Sequence, residues 1–155
     1  MATIKNNRDY LKGQTKNSGD GHLSHKFGLE IEGVTIGGIH KIDGIEFEVE
    51  VVEYNDGDDM TTHCRPGVFK PGRIVVERDH GNDKSLFNWR KQVVDGKTER
   101  KSISITLHND ASDEARRINF FHCFPVKWTG PALNSHSSGH ASERVEIAFE
   151  ELKFG

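Results

Sequence analysis

Histidine and cysteine have the widest chemical reach in this sequence, and they come in pairs: His63 precedes Cys64, and His122 precedes Cys123. In an extended chain, consecutive side chains point to opposite faces, so neither dipeptide can offer both donors to one ion. His22 and His25 lie in a polar N-terminal stretch, His136 and His140 in a Ser-rich loop, and no C-x-x-C occurs. No dedicated metal site is expected. Cys64 and Cys123 could form at most one disulfide and are read as free thiols of a reducing compartment. Asp56, Asp58 and Asp59 begin like a calcium loop, but Met60 and Thr61 hold its fifth and sixth positions, and the sixth needs glycine for the sharp turn. A solvated turn is the better reading. Neither a nucleophile elbow, a papain-like cysteine context nor a phosphate-binding glycine pattern occurs. The expectation is therefore no catalysis and no cofactor.

The chain has 155 residues and a formal net charge of -3. That length fits one domain with a real core, and that charge supplies no basic field to gather phosphate backbones. The apolar runs are a few residues long, against roughly 20 for a membrane span, and Met1 to Gly13 lacks the apolar centre of a signal peptide. Synthesis in the cytoplasm and no membrane role are expected.

From Met1 to Lys26 the apolar residues are isolated, so this stretch reads as an N-terminal arm, and the domain is expected over 27–155. Phe27, Leu29 and Ile31 then alternate with polar neighbours up to Gly33, and Val34 to Ile36 adds a short strand before Gly37 and Gly38. Ile45, Phe47, Val49 and Val51 alternate with Glu46, Glu48, Glu50 and Val52. Asn55 to Pro71 has no usable period and reads as a long loop. Strand patterns return at Arg73 to Arg78, Ser102 to Leu107, Arg117 to Phe121 and Val145 to Phe149. Between them Leu86, Trp89 and Val93 keep helical spacing, with Asp83 or Ser85 to cap the start and Gly96 to stop it. Six or seven strands around one helix predict a mainly β fold: two packed sheets in a barrel or sandwich, one helix closing an open side.

Phe47, Trp89 and Phe120 are the expected core anchors, while Trp128, which follows Pro125, is not assigned by its spacing. If Phe47 and its apolar neighbours face the core, Glu46, Glu48 and Glu50 must face water, either outside a monomer or along a channel. Strand edges without proline make pairing between copies easy. Two other classes stand beside an assembling subunit: a small β-barrel enzyme, which needs a polar pocket, and a ligand- or carbohydrate-binding module, in which Trp89 and Trp128 would be exposed platforms.

Read in order, several blocks resemble one family. Phe27-Gly28-Leu29-Glu30-Ile31-Glu32-Gly33 is similar to its first strand. Asp43-Gly44-Ile45 followed by Glu53-Tyr54-Asn55-Asp56-Gly57 is similar to its second block, and Arg65-Pro66-Gly67 to its basic turn. Phe124-Pro125-Val126-Lys127-Trp128 with Gly130-Pro131-Ala132-Leu133-Asn134 resembles its late signature, and Glu143 to Leu152 its closing strand. The family is that of tail tube proteins, found in contractile phage tails and extracellular contractile injection systems and related in fold to the ring protein of type VI secretion.

The resemblance implies a structural subunit without enzymatic activity, which assembles with itself into stacked six-fold rings. It implies assembly in the bacterial cytoplasm, a sheath, a baseplate or tube initiator and a tape-measure protein as partners, and a conduit for cargo or DNA without specific binding. In such a ring Glu46, Glu48 and Glu50 are expected to face the lumen, and Asp58, Asp59 and Arg65 to touch the neighbouring ring.

Overall fold

The computed structural model describes residues 26–108 and 114–155. The expected arm lies outside these residues except for Lys26. Each alternating segment forms a strand: β1 (Phe27–Ile31), β2 (Val34–Ile36), β3 (Ile39–Asp43), β4 (Glu48–Tyr54), β5 (His63–Lys70), β6 (Gly72–Asp79), β7 (Lys101–His108), β8 (Glu114–Thr129), β9 (Ser142–Phe149) and β10 (Glu151–Phe154). One helix, α1 (Ser85–Val94), lies between β6 and β7.

An eight-stranded sheet runs β2-β1-β7-β8-β9-β6-β3, with β10 also on β8, and β4-β5 form a separate two-stranded sheet. The long strand β8 joins the two halves of the large sheet. Its first part pairs with β7 and β10, and its second with β9. At the junction His122 takes a positive φ of 55, and Glu150 interrupts the opposite strand, its N–H donating to the Phe121 carbonyl. The expected two-layer packing follows from this bend. A closed barrel does not: the ladder stops at β2 on one side and β3 on the other, although only Gly37 and Gly38 separate those strands in the chain.

The inward positions of both halves meet in one core. Leu29, Ile103, Ile105 and Phe120 come from one half, and Ile74, Val76, Val145, Ile147 and Phe149 from the other, all at most 1% exposed. Phe120 and Phe149 meet edge to face at 4.9 Å. Helix α1 contributes Leu86 and Trp89, and the indole N–H of Trp89 donates to the Glu99 carbonyl. Lys84 occupies the N-cap position without a side-chain cap bond, while Asp83 accepts from the Ser85 N–H at 2.9 Å. Gly96, at φ 79, follows the helix end, where a side chain would be strained.

Two expectations are corrected. Asn55 to Pro71 is not all loop, since His63–Lys70 is strand β5 paired with β4. Pro66 and Gly67 break its period at a bulge between Val49 and Val51, and a ribbon clear of the core needs no apolar alternation. Phe47 is not a core anchor: it is 56% exposed, because its ribbon leaves the sheet before it could reach the core.

Candidate assembly surface

Strands β3 and β4 are consecutive, as are β5 and β6, so the two antiparallel pairs β3-β6 and β4-β5 make one long ribbon. Only its β3-β6 half belongs to the large sheet. The break falls at two glycines. Gly44 has φ 79, and a Cβ there would lie 2.5 Å from the Arg73 carbonyl oxygen. A Cβ on Gly72 would lie 2.5 Å from the Phe149 ring and 2.9 Å from the Glu46 carbonyl oxygen. Side chains are excluded where the ribbon turns away, so its root is held tightly. Beyond it, the seven residues of β4 project roughly 23 Å at strand rise.

The two faces of this arm differ. On one, Phe47 and Phe69 pack with ring centroids 4.3 Å apart, Val49 pairs with Phe69 and Val51 with Pro66. Val51 is 62% exposed and Val49 41%. Full burial of each such side chain is worth about 1.5–3 kcal/mol, and the subunit leaves part of that stabilisation unused. On the other face, Glu46, Glu48 and Glu50 are exposed, with Lys70 Nζ 3.4 Å from Glu48 Oε1. The alternation found in the sequence is real, but its apolar side does not face the subunit's own core.

The arm ends in the turn 55–62. Asp59 closes it: one carboxylate oxygen accepts from the Thr61 N–H at 2.9 Å and the other meets His63 Nε2 at 2.8 Å. The Thr61 N–H above all, and His63 after it, hold the Asp59 carboxyl below its ordinary range. Asp59 is thus engaged within its own turn, whereas Asp58 is exposed. Arg65 lies on β5 with its guanidinium 6.0 Å from the Tyr54 ring centroid. Trp89 and Phe120, by contrast, are buried in the core.

A second polar cluster escapes sequence reasoning because its members are far apart in the chain. Arg78 and Glu143, 2% and 3% exposed, form a buried ion pair. Arg78 also donates to the Asp83 carboxylate at 2.9 Å and to its carbonyl at 2.6 Å. The Trp128 indole N–H donates to the other Glu143 oxygen at 2.9 Å. This network ties the segment entering α1 to β6, β8 and β9. Among the described residues no group of three His, Cys, Asp or Glu side chains is placed to hold a metal ion, and no helix is long and apolar enough to cross a membrane.

The chain is thus a small two-layer β domain with a projecting arm that is apolar on one face. The family model of the T4-like virus tail tube protein gp19 matches residues 23–153, and the chain belongs to that family. No curated protein matches it. Among solved structures, a chain of the PVC sheath–tube complex, an extracellular contractile injection system in its extended state, is 18% identical, with 99% of each chain covered and a TM-score of 0.79. A chain of the PVC sheath/tube terminator is 21% identical over 86% of this chain and 95% of that one, with a TM-score of 0.79. Hcp1 from Flavobacterium johnsoniae is 19% identical over 83% and 94%, with a TM-score of 0.52. These likenesses show a shared fold.

Proposed function

We propose that this chain is a structural, non-enzymatic subunit of the inner tube of a contractile tail or injection particle, assembling as six-fold rings stacked into a conduit for cargo or DNA. The observation that carries this reading is the projecting arm in a tail tube family member: an exposed apolar face on a fixed ribbon is what a neighbouring copy would cover. With that face covered, Glu46, Glu48 and Glu50 stay hydrated and line the lumen. The end of the arm meets the next ring, with Asp58 of the turn 55–62 and Arg65 of β5 as its polar contacts. A sheath, a baseplate or initiator and a tape-measure protein are the partners of such a tube, which is assembled in the cytoplasm. Chromatography at rising concentration tests the reading: the subunit should pass from a small species to large assemblies, and a monomer at every concentration, with or without a tube initiator, would refute it.

A further inference from the structure

The large sheet ends at β2, and the sequence there does nothing to protect the edge. Val34, Thr35 and Ile36 carry neither charge nor proline, no strand among the described residues pairs with their outer side, and Val34 is 64% exposed. An edge of this kind accepts another strand, and proteins commonly cover it. Beside it lies a cleft of about 270 Å³ whose apolar wall is Ile31, Val34, Ile36 and Trp89, with Glu32, Ser85 and Lys101 also lining it. The Lys101 ammonium lies 3.9 Å from Glu99 Oε2. Glu32 is exposed, and its carboxylate enters no ion pair among the described residues.

We propose that residues 8–12 of the same chain dock on this edge before assembly, with Tyr10 in the cleft and Lys12 against Glu32, and so guard β2 from pairing with other copies. The proposal rests on the tube reading above only for what the guard delays.

Three arguments single out this segment. The first is reach. The Lys26 carbonyl accepts from the His108 N–H at 3.0 Å, which fixes where the preceding chain joins the sheet. From there the cleft at the Ile31 end is one strand away, roughly 17 Å for the five residues of β1. Leu23, three residues before Lys26, spans at most about 11 Å and falls short. Tyr10, followed by Leu11, lies far enough back to arrive with chain to spare. The second is charge. Residues 1–25 hold Lys5, Arg8, Lys12 and Lys16 against Asp9 and Asp20, an excess of the sign opposite to Glu32. In an extended chain Arg8, Tyr10 and Lys12 share one face, so the ring that fills the cleft brings a cation with it. Tyrosine also suits the lining, since its ring is apolar and its hydroxyl needs a polar partner such as Ser85. The third is tethering. A segment of the same chain meets the edge at an effective concentration on the order of millimolar, so it outcompetes free copies until a growing ring holds them side by side.

Hydrogen exchange at the β2 amides of the full-length, unassembled protein tests this. Tyr10→Ser should speed that exchange about tenfold, and Glu32→Lys should do the same. The double variant K12E/E32K should restore the protection, because the pair is then reversed. Protection should not depend on protein concentration. Equal exchange in wild type and Y10S overturns the docking, and protection that rises with concentration assigns the occupant to a second copy and overturns the same-chain contact. Should E32K misfold, Y10S still decides, since residue 10 lies outside the folded domain. The chain lacking residues 2–23 should assemble without an initiator at about tenfold lower concentration; an unchanged threshold overturns the guarding role. Wild-type protein that never assembles, with or without an initiator, overturns the tube reading and leaves the exchange result standing.

Discussion

Glu143 accepts from Arg78 at one oxygen and from the Trp128 indole at the other, deep under the start of α1. Desolvating such a carboxylate costs several kcal/mol, and Arg78 offsets that cost only while both partners remain. Arg78→Met should therefore destabilise the subunit by about 3–5 kcal/mol, read as a lower urea midpoint, because it strands a buried charge. Asp83 acts from the edge of the same network. Its carboxyl is held below the ordinary 3.8, first by the Ser85 N–H, then by the Ser85 hydroxyl and Arg78. A depressed folded value means that its contribution is complete above the ordinary value and disappears as pH falls through the depressed one. Asp83→Asn should accordingly flatten stability loss below pH 3.8 and leave the profile at higher pH unchanged in shape. Asp83 at the start of α1 was legible as a candidate cap, but its tie to Arg78 and Glu143 was not, since 65 positions separate Arg78 from Glu143.

Elements were more legible than contacts. Alternation located β1, β6, β7 and β9, and helical spacing located α1 with its glycine stop, because each has one face in a core that its own chain supplies. β4 shows the limit of that inference. Its alternation states that one face avoids water but not which molecule covers it, so Phe47 was expected inside the subunit and stands outside it. β5 was missed for the complementary reason: its inward partner is only β4, and Pro66 and Gly67 obscure its period. Because the arm shares no core, replacing Asn55 to Thr62 by a two-residue Asn-Gly turn should leave the thermal midpoint of the isolated subunit within a few degrees. The same change should sharply shorten assemblies viewed by electron microscopy. Normal tube lengths would remove the turn from the contact between rings.

At the scale of the molecule, the family and the general architecture were visible beforehand, because the late Phe124 to Asn134 blocks and the strand order depend on local residues. Assembly geometry was not, since lumen and interface are properties of several copies. The carboxylate face links the two scales. Six copies of Glu46, Glu48 and Glu50 around one channel would repel, tolerably while the lumen is hydrated and salt screens them. Replacing all three by glutamine should preserve or raise ring stability, most clearly at low salt, in sedimentation across a salt series; weaker rings at low salt would show that these carboxylates make attractive contacts instead. The most direct measurement of the central claim is a cryo-electron microscopy reconstruction of the protein assembled alone or with a tube initiator. The account predicts six-fold rings stacked into a tube, the Phe47 face covered by a neighbouring copy and the three glutamates on the inner wall. A particle without ring symmetry, or a tube with these carboxylates on its outer surface, would contradict it.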